Sequence, residues 1–139
     1  MTILIALMLA AATPSSTEDT QVVHLKDAKF TPAKGMPEGV FSAPIGVDPN
    51  TKGGTGYAKL TSGTKLGEHT HSFAEYTSLI KGNGTLTVED KSYDIEPGDY
   101  FILAKGTRHS LTCKQGADCV LLTRRAGPTD YNFTKTASK

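Results

Sequence analysis

An all-β fold, a sandwich or barrel of short strands, is what this chain predicts, and three observations predict it. From Thr55 onward, short runs of alternating apolar and polar residues recur, as in Thr85-Leu86-Thr87-Val88. Turn-forming Gly, Pro and Asn-Gly sites separate these runs at intervals near ten residues, a spacing typical of all-β sandwiches and barrels. Nowhere does an apolar period of 3.6 persist long enough to nominate a helix. With 139 residues, 37% hydrophobic and 21% charged, the chain has the size and apolar content of one compact domain.

The elements follow in order. Val22 to Leu25 and Lys29 to Thr31 are short candidate strands, with His24 a surface histidine on one of them. From Pro32 to Gly54 prolines and glycines recur, which is loop and edge-strand chemistry broken by Val40-Phe41 and Ile45-Gly46-Val47. Gly56 to Leu60 reads as a strand, Ser62-Gly63-Thr64 as a turn, and the residues around His69 as the next strand. Tyr76 to Ile80 is another, ending at Lys81-Gly82-Asn83-Gly84, where an Asn-Gly pair between apolar alternations predicts a tight hairpin. Thr85 to Val88 then turns at Glu89-Asp90, and Ser92 to Ile95 turns at Pro97-Gly98-Asp99. Tyr100 to Leu103, His109 to Cys113 and Cys119 to Thr123 complete the regular part. The domain is expected over residues 22–126, with 13–21 a flexible tether. Residues 127–139 form a tail whose Tyr131 and Phe133 either cover one end of the barrel or stay disordered.

Fifteen basic and fourteen acidic residues leave a formal charge of +1, with no basic stripe, which argues against nucleic acid as a partner. Residues 1–12, MTILIALMLAAA, are apolar throughout but well short of the ~20 residues that cross a bilayer. Ala10, Ala11 and Ala12 suit a signal-peptidase site, although the usual basic n-region is missing. The expectation is a secreted or periplasmic protein, cleaved near Ala12 and without a membrane anchor thereafter. Cys113 and Cys119 flank a polar loop with one glycine, Lys114 to Asp118, at the two ends of an expected hairpin. In an oxidising compartment they can form a cross-strand disulfide. Alternatively they are two reduced, buried small hydrophobes, and a role for Cys113 as a metal ligand is disfavoured.

The stretch from Gly63 to Gly82, GTKLGEHTHSFAEYTSLIKG, carries the most chemistry. Successive side chains of a strand point to opposite faces, so His69 and His71 share one face and can present two imidazoles to one ion. Glu68, adjacent to His69, faces the other side and is not a ligand. Glu75 lies four residues beyond His71, about 13 Å along an unbroken strand at ~3.3 Å per residue. It reaches the same ion only if the chain bends at Ser72-Phe73-Ala74.

Gly63, five residues, His69, one residue, His71, three residues, Glu75, six residues and Gly82 follow the order and spacing of the first signature of the cupins. Cupins are small β-barrels that hold one metal ion in the barrel mouth. Pro97 to Cys113, PGDYFILAKGTRHSLTC, resembles the family's second signature, with Gly98, Gly106 and His109 in the matching places. Ala104 stands at the signature's proline and Cys113 at its asparagine, so a rigid turn residue is lost while Gly106 still supplies the bend. The resemblance spans Gly63 to Leu122. It implies a cupin β-barrel, also described as a double-stranded β-helix or jelly roll, and a metal site made of His69, His71, Glu75 and His109. It also implies pairing into a homodimer.

Three neutral imidazoles, one carboxylate and one divalent cation (Zn, Mn, Fe, Ni or Cu) sum to a charge of +1 and leave open coordination positions. Such a centre attracts a small-molecule ligand rich in oxygen or negative charge and polarises it. The expected function is therefore a metal-dependent enzyme of dioxygenase, isomerase or lyase type, or else a metal-dependent binding or sensing module without turnover. Export adds weight to zinc, copper or manganese over Fe(II), because copper and zinc outcompete iron on intrinsic affinity. Tyr57, Lys59, Lys105 and Arg108 are the polar residues near the two signatures, and no motif gives any of them a catalytic role.

Overall fold

The computed structural model describes residues 15–134. The expected leader lies outside the described residues. Among the described residues eleven strands form two antiparallel sheets: one of six, in the order β1-β2-β3-β10-β5-β8, and one of five, in the order β11-β4-β9-β6-β7. The first holds β1 (Thr31–Pro32), β2 (Val40–Val47), β3 (Gly54–Leu60), β5 (Glu75–Lys81), β8 (Tyr100–Leu103) and β10 (Cys119–Arg125). The second holds β4 (Lys65–Thr70), β6 (Gly84–Val88), β7 (Lys91–Ile95), β9 (His109–Cys113) and β11 (Asn132–Phe133). Their inner faces close on a core that includes Val40, Leu60, Leu66, Leu79, Leu86, Leu111 and Leu121. The all-β barrel is as the alternation predicts. Among the described residues no helix is long and apolar enough to cross a membrane.

Several local expectations are corrected, mostly for one reason. Between β3 and β10 the chain changes sheet at almost every connection, so strands adjacent in sequence rarely pair. Asn83-Gly84 makes no hairpin: β5 bonds to β10 and β8, whereas β6 bonds to β9 and β7. The left-handed residue at this corner is Gly82, with φ 78°. A Cβ there would stand 2.5 Å from the Asp118 carbonyl oxygen, so only glycine fits. Inner-facing Leu79 and Leu86 explain the switch, since each apolar face is buried only against the opposite sheet. Glu89-Asp90, by contrast, does join a paired hairpin, β6 to β7.

Cys113 and Cys119 likewise are not the ends of a hairpin, because β9 and β10 belong to different sheets. They form a disulfide with Cα atoms 5.7 Å apart, and it staples one sheet to the other. Near the amino end, Leu25–Asp27 is a single 3-10 turn rather than part of a strand, and only Thr31–Pro32 pairs, against Phe41 and Ser42. The proline-rich stretch contains an eight-residue strand, β2. Pro44 is tolerated because β1 reaches no further along β2 than Ser42, leaving that side of Pro44 without a ladder partner, and a register shift follows at Gly46. Ser15 and Thr17, in the expected tether, hydrogen-bond to Val47.

Candidate metal centre

Each strand that enters one end of the barrel brings a polar residue on its inner face. The β4–β9 ladder pairs Leu66 with Leu111 and then His69 with His109, so β4 carries one extra residue between these pairs. This bulge at Gly67-Glu68 lets Leu66 and His69, an odd number of residues apart, both face inward. His71 follows the end of β4. The chain then bends over Ser72, Phe73 and Ala74, as the spacing required, and β5 begins at Glu75. His109 opens β9, after Gly106 has made its turn with φ 75° and donated its N–H to the His71 carbonyl at 2.9 Å.

His69, His71 and His109 are all buried and come together: one ring nitrogen from each lies within 4.8 Å of the others. In every ring Nδ1 meets a backbone carbonyl, Gly67 at 2.7 Å for His69, Asp130 at 2.5 Å for His71 and Thr107 at 2.9 Å for His109. A carbonyl only accepts, so each Nδ1 carries the hydrogen and each Nε2 is left with a free lone pair. Backbone pinning of the distal nitrogen is how metal-binding histidines are held in tautomer and orientation.

Glu75 lies beside the three rings. Its Oε1 accepts from the Thr77 hydroxyl at 2.7 Å, and its Oε2 is 3.0 Å from Arg125 Nη2 and 2.8 Å from His71 Nε2. The last contact tests whether a metal fits. With its hydrogen on Nδ1, His71 leaves Nε2 an electron-rich nitrogen beside a carboxylate oxygen, buried and without a hydrogen-bond partner. Two electron-rich atoms this close in a dry site are unfavourable. A cation shared between them removes the conflict, and ligands held at ~2.0–2.2 Å from one ion lie roughly 3 Å apart when adjacent. The residues therefore fit a metal.

Protonation states favour the same set. Burial is the main cause that lowers the His69 pKa to about 4, and it lowers that of His109 as well. Burial opposes ionisation of Glu75, but the charge of Arg125 and the hydrogen bond from Thr77 outweigh it and hold its carboxyl well below the usual carboxylate range. At neutral pH His69 and His109 are thus neutral donors and Glu75 is an anion.

Other residues named from the sequence fall elsewhere. Glu68 points outward, 3.6 Å from Arg108, which also pairs with Glu89 at 2.7 Å. Lys59 sits over the rings of Phe30 and Phe41, and Lys105 is exposed. Tyr57 shares the face of Lys59, while Ala58 and Leu60 between and beyond them line the interior. His24 is exposed, and Cys113 is committed to its disulfide.

Two residues of the site had not been identified as such. Arg125, 6% exposed, ends β10 directly opposite Glu75. Its signal was available, since Cys119, Leu121, Thr123 and Arg125 share one face of a strand. Asp130 supplies the carbonyl for His71 and anchors its own carboxylate on the Ser72 N–H at 2.9 Å and on the Ser72 hydroxyl. Of the two alternatives for the tail, its described part, up to Thr134, lies over the barrel end. Asn132 and Phe133 pair with β4, and the rings of Tyr131 and Phe133 each stand 5.4 Å from that of His69. Burial raises the pKa of Tyr131. Below this cover lies a cavity of about 50 Å³ reached by His69, Glu75, His109, Arg125 and Tyr131.

The profile of the family described as "Cupin domain" (cupin-2) matches residues 56–123, which include all three histidines and Glu75. The chain is a cupin. Among solved structures, this cupin is similar to the polyketide cyclase RemF from Streptomyces resistomycificus, with a TM-score of 0.69 and 14% identity over 86% of this chain and 89% of that one. It is also similar to KdgF from Halomonas sp., at 0.65 and 14% over 78% and 94%. A predicted oxalate decarboxylase from Thermotoga maritima matches at 0.67 and 21% over 76% and 97%. These likenesses show the fold. In sequence, 45 residues of the cupin are 40% identical to the HTH-type transcriptional activator RhaR from Salmonella arizonae, a stretch covering 32% of this chain and 16% of that protein.

Proposed function

We propose that this cupin binds one divalent metal ion through His69, His71 and His109 with Glu75 as fourth ligand. With that ion it acts as a metal-dependent enzyme, of dioxygenase, isomerase or lyase type, on a small anionic or oxygen-rich molecule. The observation that carries the reading is the pinning of all three Nδ1 hydrogens to backbone carbonyls, which leaves three buried lone pairs beside an ionised carboxylate. When bound, the ion supplies Lewis-acid polarisation of a chelated oxygen, or electron transfer if it is redox-active. The chain's own residues orient and shield: Thr77 and Arg125 fix the Glu75 carboxylate, while Tyr131 and Phe133 limit the entry of water.

A second reading, a metal-dependent binding or sensing module, is favoured by what else reaches the cavity. Apart from His69, Glu75 and His109, its titratable lining groups are Arg125 and Tyr131. Neither is a base at neutral pH, because Arg stays charged and burial keeps the Tyr131 phenol protonated. Similarity of part of the chain to a transcriptional activator agrees with that reading. Export, the remaining proposal, is supported by the buried Cys113–Cys119 disulfide, which suits an oxidising compartment.

Elemental analysis of protein made without added metal, followed by thermal denaturation with and without chelator, tests the centre. The expected result is close to one ion per chain and a chelator-sensitive Tm, both lost in His69→Ala. Metal-free protein whose Tm ignores both chelator and added metal would overturn it.

A further inference from the structure

The barrel does not close all the way round. β8 ends one sheet and β7 ends the other, and among the described residues no strand pairs with the free edge of either. Between these two edges runs a groove of about 610 Å³, inside the ~300–1,000 Å³ typical of small-molecule sites. Tyr93 on β7 stands opposite Leu86, and Phe101 on β8 stands opposite Thr77. Both rings therefore belong to the inner faces of their sheets. Leu86 and Thr77 are buried, yet Tyr93 is 45% exposed and Phe101 only partly buried. Apolar surface of the inner faces thus stays open to water along this gap.

The lining decides what fits there. Tyr93, Tyr100 and Phe101 offer ring faces and edges to a further ring, in offset-stacked or edge-to-face contact. The two carboxylates of the groove already have partners outside it, Asp94 with Lys114 at 2.8 Å and Asp99 with the Glu96 N–H at 2.9 Å. Among the described residues no basic side chain lines it, so an anion would lose its hydration for no counter-charge. Leu86 and Phe101 are walls of this groove and also of the enclosed cavity at the metal centre. An occupant of the groove lies one side chain away from that cavity. Addition of a protein strand is the poorer fit: β8 has four residues and β7 carries Lys91 and Asp94, and short or charged edges resist pairing.

We infer that the groove between β7 and β8 is a binding site for a neutral aromatic small molecule, seated against Tyr93 and Phe101. The inference goes beyond the metal reading and does not depend on it, since none of the expected metal ligands lines the groove.

The test titrates N-phenyl-1-naphthylamine, a neutral probe whose fluorescence rises in apolar surroundings, into full-length protein with and without chelator. The chain has no tryptophan to interfere. Saturable binding of one probe per chain is expected, with the same affinity in both conditions. Its sulfonated analogue, 1-anilinonaphthalene-8-sulfonate, should bind about tenfold or more weakly for want of a counter-charge. Tyr93→Glu puts a charge into the groove and should weaken the neutral probe by about tenfold or more. Ile102→Glu, at the rim and 61% exposed, should weaken it by about threefold. Ile80→Glu, exposed and outside the groove, should leave it unchanged. Binding that does not saturate, or that is equal in wild type and both groove variants, overturns the inference. So does a sulfonated analogue that binds as tightly as the neutral probe, or a probe that binds only without chelator and hence at the metal centre. Sedimentation of the same proteins checks for another occupant: a wild-type dimer that Tyr93→Glu splits into monomers gives the groove to a second copy and overturns the inference too. If Tyr93→Glu does not fold, Ile102→Glu decides alone.

Discussion

The two ends of this barrel are built from the same strands and have opposite chemistry. Along its inner face β5 runs from Glu75 through Thr77 to Leu79, β9 from His109 through Leu111 to Cys113, and β10 in the reverse sense from Cys119 through Leu121 and Thr123 to Arg125. One end is thus a dry cluster of Leu60, Leu79, Leu111 and the disulfide, and the other gathers three imidazoles, a carboxylate and a guanidinium. The apolar end can stabilise the fold by burial alone. The polar end buries groups that need partners, and it leaves His71 Nε2 and Arg125 Nε without them. The difference separates what holds the barrel together from what the barrel holds.

Mutations that strike one end only should separate the two roles. The largest effect is expected at the apolar end: Leu79, with no exposed surface, cut to Ala should lower stability by about 3 kcal/mol in chemical denaturation. Metal per folded chain should be unchanged, and a variant that lost its metal in proportion would show the ends to be one unit. His69→Ala should do the reverse. It removes the metal-linked stabilisation, about 2.7 kcal/mol at a free-metal concentration a hundred times Kd, while barely moving the Tm of metal-free protein. Opening the Cys113–Cys119 link by a Cys113→Ala, Cys119→Ala double change should cost about 2 kcal/mol, as expected for so short a closed loop. Metal affinity should again stay the same.

The polar end also has an outer support that can be tested apart from the ligands. Asp130→Ala leaves the carbonyl that pins His71 but removes the carboxylate that fastens this segment to Ser72. Loss of such support behind a metal ligand lowers affinity by about 10- to 100-fold, and the lower figure is expected because the backbone contact survives. Competition with a chelator of known affinity measures it, and an unchanged Kd would make the tail a mere cover.

How much of this was legible in the sequence follows the same division. The all-β class came from alternation and turn spacing, which are local properties of each strand. The first-signature spacing required a bend at Ser72-Phe73-Ala74, and the bend is there. The hairpins expected at Asn83-Gly84 and between the cysteines failed because pairing across a two-sheet barrel is non-local. A turn residue shows that the chain bends without showing which sheet it enters. Arg125 went unrecognised for a related reason. Its inward side can be read only from the phase of β10, set by Cys119 and Leu121, and no sequence motif surrounds it. Asp130 reaches His71 through a backbone carbonyl, which any residue would supply, and its carboxylate bonds Ser72 far back in the chain, a pairing that no local pattern reveals.

The smallest expected effect is a pH dependence that belongs to the polar end alone. His69 in the folded, metal-free protein has a pKa of about 4, lowered chiefly by burial from the 6.5 of an exposed histidine. Between these values the unfolded chain binds a proton that the native protein refuses, so stability falls as pH drops from about 6.5 to 4. His109 shifts in the same direction and adds to the slope. Glu75 acts below that window: with its pKa depressed from 4.5, its contribution is complete above 4.5 and is lost as pH falls through the depressed value. The Tm of metal-free protein should therefore decline by a few degrees from pH 7 to pH 5, before Glu75 titrates. His69→Gln, which has no imidazole to protonate, should flatten that upper limb, whereas Leu79→Ala should lower the whole curve without changing its slope. A Tm profile with the same slope in wild type and His69→Gln would mean that the acid sensitivity arises outside the imidazole cluster.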